Sequence, residues 1–329
     1  MKRLSIVIPM YKEEESAVAL VSAVHSAMQS YEDSWELILV DDGSGDKTAD
    51  ILEAQRDDYG QHIRVIRLQR NYGQTAAMQA GIDAAQGDLI ATLDGDLQND
   101  PSDIPRMVDE LLERDLDLLQ GWRKARKDGL WLRKIPSKIA NRLIAKMTGV
   151  HLNDYGCSLK IYRASVIKQV RLFGEMHRFI PVWVSGVTPS ERIGETEVKH
   201  HARQFGESKY GISRTFRVII DLMVVFFFQK FRARPAHFFG YIGLLFGAVG
   251  SLMMVHLGFV KFVLGDDIGG RPLLLVSILC IVASVQLLTT GVLAEMLSRV
   301  FFESKHYPSY LIERKSTHDE SLTWKTPLK

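Results

Sequence analysis

Asp94-Gly95-Asp96 places two carboxylates one residue apart at the end of an apolar run, Leu89 to Leu93. On an extended strand, residues i and i+2 face the same way, so one cation could meet both side chains. Gly95 removes a side chain between them, where backbone and ligand must come close. Hard divalent cations such as Mg2+ or Mn2+ take oxygen ligands of this kind, shared with a substrate's phosphates. Gln98 adds a third oxygen donor two residues further on. A lone Asp-x-Asp is also an ordinary acidic turn after a strand, so its surroundings must decide.

Other groups with chemistry stand in comparable places. Pro9, Asp41-Asp42 and Asn71 each close a short apolar run. A basic loop begins at Gly121 and carries Arg123, Lys124, Arg126 and Lys127, continued by Arg133 and Lys134. Arginine's planar fork suits a phosphate bidentately, although a solvated basic loop or a nonspecific lipid headgroup contact has the same composition. Asp154, in Asp154-Tyr155-Gly156-Cys157, either orients a substrate or caps a turn. His200 and His201 adjoin on a strand-like stretch and so face opposite ways, which argues against a shared metal site.

The elements that must position these groups are short apolar strands alternating with helices. Strands are expected at Leu4–Pro9, Glu36–Val40, Ile63–Leu68, Asp88–Leu93 and near Leu116–Gly121, with a later one at Thr196–Arg203. Helices are expected over Ser16–Tyr31, Thr48–Arg56, Thr75–Ala85, from Pro101 to about Arg114, and around Ser137–Met147. Such alternation implies a parallel sheet with crossover helices, whose ligands gather outside the carboxyl ends of the strands. Four strand ends then deliver polar groups to one edge.

The chain of 329 residues has a net charge of +2, with 24% charged and 46% hydrophobic residues, so no global field for nucleic acid exists. Its two cysteines, Cys157 and Cys280, lie in dissimilar surroundings and are not expected to pair. The basic N-terminus and short apolar run before Lys12 do not read as a signal peptide. Phe238 to Val260 and Leu273 to Ala294 are uncharged runs of 23 and 22 residues. Each spans roughly 33–35 Å as a helix, enough for a ~30 Å hydrocarbon core. Lys230, Arg232 and Arg234 on one flank, and Arg299 and Lys305 on the other, put both termini in the cytoplasm. Phe216–Phe228 is too short to span and contains Arg217 and Asp221, which fits a helix lying on the cytoplasmic leaflet. The tail beyond Lys305 is polar.

Ile8-Pro9-Met10-Tyr11-Lys12-Glu13-Glu14, Val40-Asp41-Asp42-Gly43-Ser44 and Asp94-Gly95-Asp96-Leu97-Gln98-Asn99-Asp100-Pro101 together resemble family-two inverting glycosyltransferases of the GT-A fold. Asp154-Tyr155-Gly156-Cys157, Phe205-Gly206-Glu207-Ser208-Lys209-Tyr210 and the C-terminal hairpin narrow the likeness to polyprenyl-phosphate glycosyltransferases, the group of dolichol-phosphate mannose synthase and bacterial undecaprenyl-phosphate sugar transferases. The resemblance covers about residues 3–312. It implies an α/β GT-A catalytic domain, Rossmann-like with a mostly parallel sheet, over 1–210. A juxtamembrane amphipathic helix over 211–235, two transmembrane helices within 236–298 and a cytoplasmic tail over 299–329 would follow.

The resemblance also implies roles. Pro9, Tyr11, Glu13 and Asp42 would hold the donor's nucleoside, and Asn71 and Gln74 would touch its sugar or ribose. Asp94, the Gly95 backbone, Asp96 and Gln98 would hold Mg2+ or Mn2+ and, through it, the diphosphate. Arg123, Arg126, Arg133 and Ser137 would meet the acceptor phosphate with Ser208 and Lys209, while Arg203 would reach the donor. Asp94, Asp96 and Asp154 would be the catalytic set, Asp154 as a candidate for orienting the acceptor or the sugar. A phosphate monoester, with a second pKa of about 6, is mostly dianionic at pH 7 and needs no general base.

The expected activity is inverting transfer of a hexose, first among them glucose from UDP-glucose, to undecaprenyl phosphate. The enzyme would sit in the inner membrane and serve cell-envelope glycan or lipopolysaccharide modification. Relatives of this kind lead one to expect a homo-oligomer, some being tetramers. GDP-mannose-dependent polyprenyl-phosphate mannose synthesis is the alternative within the group. A processive polysaccharide synthase would carry a Gln-x-x-Arg-Trp motif and more spans, and neither is present. A non-catalytic nucleotide-sugar-binding scaffold is the alternative of another class, disfavoured by the retained acidic pair.

Overall fold

Leu4–Met10 forms β1, buried along its whole length, as expected of a central strand covered on both faces. In the computed structural model, residues 3–124, 145, 149–172, 174–202, 227, 231 and 234–304 are described. They belong to two units divided between Phe226 and Phe227.

In the first unit, β1 is flanked by β2 (Trp35–Asp41) and β4 (Leu89–Thr92), and β2 by β3 (Ile63–Arg67), all parallel. The connecting helices are α1 (Ala17–Met28), α2 (Thr48–Tyr59) and α3 (Gln74–Ala84), with α4 (Asp103–Glu113) following β4. Beyond β4 the sheet continues through β6 (Lys160–Arg163), β5 (Leu118–Trp122) and β7 (Ile193–Glu197), giving the order β3-β2-β1-β4-β6-β5-β7. β6 runs antiparallel to both its neighbours, whereas β5 and β7 are parallel. The sheet is therefore mixed and mostly parallel, as expected.

Two apolar layers sandwich the sheet. On one face Val7, Ile38, Val40 and Ile90 pack with Ala77, Met78 and Ile82 of α3. On the other, Ile6, Ile8, Leu37 and Leu39 pack with α1 and α4. Gly81 lets α3 lie close: a Cβ there would stand 2.2 Å from Val7 Cγ1.

The chain passes outward from β1 through β2 to β3, then crosses back to place β4 on the other side of β1. This reversal makes the carboxyl ends of β1 and β4 the topological switch point of the sheet, the place where ligands of such sheets bind. The strands differ from expectation in three respects. β4 ends at Thr92, before the acidic pair, so Asp94 and Asp96 lie on a turn and not on a strand. The late strand covers Ile193–Glu197, earlier than Thr196–Arg203, because β5 offers a ladder only there. Past it the backbone keeps single bonds, Val198 N–H to Trp122 O (3.1 Å) and His201 N–H to Gln98 O (2.8 Å). β6, with lysine and arginine at its two ends, was not expected as a strand at all.

The second unit contains α7 (Pro235–Phe262) and α8 (Pro272–Ser304), after the short α5 (Ala164–Ile167) and α6 (Ile180–Val184) of the first. Both long helices are long and apolar enough to cross a membrane. They pack through small residues: a Cβ on Gly250 would lie 2.9 Å from Cys280 Cβ, and one on Gly247 2.7 Å from Ser284 Oγ. Leu244, Leu252, Val255, Leu279 and Val292 point outward and are exposed. The amphipathic helix expected over Phe216–Phe228 and the tail beyond Lys305 lie outside the described residues, apart from Phe227.

Candidate active site

Asp94 is joined to the first turn of α3 by Gln74, whose Nε2 donates to Asp94 Oδ1 at 2.7 Å. Leu97 adopts φ 58°, which turns the chain back sharply after the acidic pair. The Gln98 N–H then donates to Asp96 Oδ1 at 3.2 Å, and the Gln98 side chain makes no hydrogen bond to a described residue. Gly95 has a reason beyond ligand approach: a Cβ on it would meet Met10 Sδ at 2.3 Å, so the turn is drawn against β1. Burial and the nearby Asp96 carboxylate push the pKa of Asp94 up, opposed by Ser158, Lys160 and Arg123.

The groups at the β1 and β2 ends are engaged with the scaffold. Asp42, 2% exposed, accepts the N–H groups of Tyr72 (2.8 Å) and Gly73 (2.9 Å), so it fixes the loop after β3. Gly43, at φ +64°, lies under that loop. Glu13 accepts from Ser16 Oγ at 2.6 Å and its N–H donates to Thr48 Oγ1 at 3.0 Å. Tyr11 and Tyr72 present exposed rings, each with a cation over its face: Lys12 Nζ at 5.5 Å and Arg70 Cζ at 5.0 Å from the centroids. Pro9 lies within β1, one residue before its end, and Asn71 lies in the loop that Asp42 secures.

β6 supplies a second wall, because an antiparallel strand brings its beginning to the edge where β4 and β5 end. Arg123 and Asp154 form a bidentate pair, Nε to Oδ2 at 2.7 Å and Nη2 to Oδ1 at 3.0 Å, with side chains 10% and 12% exposed. Asp154 raises the guanidinium pKa against the opposing effect of burial. Lys160, 2% exposed, donates to the Cys157 carbonyl, which also accepts Gln120 Nε2 at 2.9 Å. Burial pushes the lysine's pKa down, while Cys157, Asp94 and Asp154 act the other way. Asn99 Nδ2 donates to Ser158 Oγ at 2.7 Å, tying the turn after Asp96 to the same segment.

The structure thus brings Asp94, Asp96, Gln98, Gln74, Arg123 and Asp154 to one edge of the sheet, with Pro9, Tyr11, Glu13, Asp42 and Asn71 beside them. Arg126, Arg133, Ser137, Arg203, Ser208 and Lys209 lie outside the described residues. Lys160, Ser158 and Asn99 were missed in the sequence. A buried lysine is costly without compensation, but from sequence alone Lys160 reads as a surface charge. His200 forms an isolated bridge with Asn99, and His201 Nε2 stands 3.1 Å from Asp100 Oδ2, so the two histidines do part company.

Three carboxylates face two cations here, and Arg123 is already matched by Asp154. Asp94 and Asp96 therefore form an acidic site whose mutual repulsion a divalent cation would relieve, with the remaining oxygen ligands coming from a diphosphate. That arrangement, at the β1/β4 switch point of a mixed sheet, is that of a nucleotide-sugar-dependent glycosyltransferase of the GT-A fold. Residues 5–171 match the family model described as glycosyl transferase family 2, and the chain belongs to that family. Over 311 residues it is 61% identical to a dodecaprenyl-phosphate galacturonate synthase of Rhizobium johnstonii, covering 94% of this chain and 92% of that one. Over 314 residues it is 35% identical to an undecaprenyl-phosphate 4-deoxy-4-formamido-L-arabinose transferase of Aeromonas hydrophila, covering 95% and 94%. The particular kind of enzyme is a polyprenyl-phosphate glycosyltransferase. Among solved structures, glucosyl-3-phosphoglycerate synthase from Mycobacterium tuberculosis in complex with Mn2+ and UDP-glucose has the same fold, with a TM-score of 0.53 at 16% identity over 68% of this chain and 78% of that one.

Proposed function

We propose that the enzyme transfers galacturonate from UDP-galacturonate to a polyprenyl phosphate, with inversion at the anomeric carbon. The observation that carries this reading is the 61% identity to the galacturonate synthase along nearly the full length of both chains. It favours galacturonate over the glucose first expected and over the mannose alternative.

Asp94, Asp96 and the Gln98 side chain would hold Mg2+ or Mn2+. A solved structure of the same fold was obtained with Mn2+ and UDP-glucose, which supports a divalent cation in general. Bound there, the cation neutralises charge developing on the departing nucleoside diphosphate. Tyr11, Glu13 and the Asp42-secured loop with Asn71 would border the nucleoside and ribose. Arg123, held in place by Asp154, would meet the acceptor phosphate, together with Arg126, Arg133, Ser137, Ser208 and Lys209, while Arg203 would reach the donor. A dianionic phosphate oxygen attacks C1 from the face opposite the diphosphate. The new C1–O bond forms as the old one breaks, and UDP leaves with the bonding electrons. No proton has to move, so Asp154 acts through Arg123 rather than as a base.

α7 and α8 would cross the inner membrane as a hairpin with both ends in the cytoplasm, the lysine and arginine residues flanking them on that side. A lipid acceptor is confined to a plane, and anchoring the enzyme in that plane raises the encounter rate. Membranes containing the protein, incubated with labelled UDP-galacturonate, UDP-glucose, GDP-mannose and UDP-4-deoxy-4-formamido-arabinose, should move galacturonate into organic-extractable lipid ahead of the others. A preference for any other sugar would overturn the galacturonate reading.

A further inference from the structure

A carboxylate binds a cation best when further hydrogen bonds hold it in place. Asp94 is held from α3 by Gln74 Nε2, 2.7 Å from its Oδ1. A carboxylate has about four acceptor sites, so that single bond leaves it free to turn. The ladder between β4 and β6 sets a second group opposite it. Leu89 faces Arg163 and Thr92 faces Lys160. Carried two residues further, the same register brings Asp94 opposite Ser158, and a side-chain hydrogen bond joins the two. Ser158 is 9% exposed, and its backbone is fixed independently of its hydroxyl. Its carbonyl accepts Thr92 Oγ1 at 3.1 Å, and the preceding Cys157 carbonyl accepts Lys160 and Gln120.

The same hydroxyl meets the far end of the turn. Asn99 Nδ2 donates to Ser158 Oγ at 2.7 Å. Asn99 is 3% exposed, and its Oδ1 accepts the Cys157 thiol at 3.4 Å, which agrees with that orientation of the amide. Asn99 supplies the proton of its bond to Ser158, so the hydroxyl hydrogen remains for an acceptor, and an ionised carboxylate only accepts. The donors therefore run from Asn99 to Ser158 to Asp94. One side chain outside the turn grips both ends of the segment that carries Asp94, Asp96 and Gln98.

On the reading of Asp94 and Asp96 as cation ligands, on which this inference rests, we infer that Ser158 is a positioning residue for metal binding, its hydroxyl oriented by Asn99. It acts through Asp94, by removing beforehand the freedom that the carboxylate would otherwise lose on coordination.

The test titrates full-length protein in detergent with Mn2+ in the presence of UDP, and reads free Mn2+ from its electron paramagnetic resonance signal. Ser158→Ala removes the hydroxyl and leaves the Thr92, Lys160 and Gln120 bonds, all of which go to backbone carbonyls. The dissociation constant for Mn2+ should rise about 10- to 100-fold, the usual effect of removing a group that orients a metal ligand. The melting temperature without metal, and the KM for polyprenyl phosphate at saturating Mn2+, should stay near wild type. An unchanged Mn2+ constant, or a rise matched by an equal rise in that KM, would overturn the assignment while leaving the metal site intact. Absence of Mn2+ binding by the wild type would overturn the metal site and this inference with it. Should Ser158→Ala fail to fold, Asn99→Ala keeps the hydroxyl but frees it to turn, and must raise the same constant; no change in it would also overturn the assignment.

Discussion

Breaking the pair between Arg123 and Asp154 separates a counter-ion from a base. The two side chains are 10% and 12% exposed and meet through two parallel bonds of 2.7 and 3.0 Å. Asp154→Asn leaves a nearly buried guanidinium without a counter-charge, which costs about 3–5 kcal/mol. Arg123→Met costs less, about 2–3 kcal/mol, because the carboxylate keeps the N–H of Gly156 at 3.1 Å and the backbone N–H of residue 123 at 3.4 Å. The double variant Arg123→Met/Asp154→Asn removes both charges, so its loss should fall short of the sum by roughly 2–3 kcal/mol of coupling. Urea unfolding of the detergent-solubilised protein, followed by tryptophan fluorescence, measures all three differences. Initial rates should show Arg123→Met raising the KM for polyprenyl phosphate. Single-variant losses that add to within about 0.5 kcal/mol would refute the coupling. A pH–rate profile whose acidic limb disappears in Asp154→Asn would refute the counter-ion role by showing a base.

Gly43→Ala should displace the loop after β3. The new Cβ would lie 2.3 Å from the Arg70 carbonyl carbon and 2.7 Å from Asn71 N at a left-handed φ, so we expect a donor KM raised several-fold and a lower melting temperature. Asp96→Ala should abolish metal-dependent transfer, and excess chelator should do the same to the wild type, with membrane insertion unaffected in fractionation; full turnover in chelator would refute the metal site. Glu36, 1% exposed, would have its pKa raised by burial, but hydrogen bonds from Ser5, Gln86 and Arg64 and the charge of Arg3 bring it below the ordinary value. A depressed carboxylate stabilises the fold above its unfolded pKa of about 4.3. That stabilisation is lost as pH falls through the lower folded value. Glu36→Gln should therefore cost about 2–4 kcal/mol at pH 7, and its stability should vary less between pH 5 and 3 than that of the wild type in urea titrations at each pH.

The first half of the sheet was legible in the sequence because buried parallel strands read as continuous apolar runs. β1, β2 and β3 lie within a residue or two of their expected places, and the polar groups that follow them do gather at one edge. The acidic pair follows the end of β4 as expected, but it lies on a turn closed by Leu97 rather than on an alternating strand. β6 escaped because four residues beginning with lysine and ending with arginine carry no apolar signature. Lys160 and Asn99 escaped with it, since their burial depends on partners far away in sequence. Asp42 illustrates the other limit. Its type and position suggested a ligand contact, but its carboxylate holds backbone N–H groups 30 and 31 residues away, a pairing that only the folded loop defines.

The seam between β4 and β6 is only four residue pairs long, from Leu89 opposite Arg163 to Thr92 opposite Lys160. Asp94 lies just beyond one strand and Asp154 shortly before the other, so on the proposed function this short ladder would set the spacing between the donor and acceptor halves of the site. A slip of two residues would keep every side chain on its own face of the sheet yet shift the halves by about 7 Å, more than a bond-forming approach can absorb. On that reading the ladder would work as a gauge: the hydrogen bonds that fold the sheet would also fix how far apart the two substrates are held.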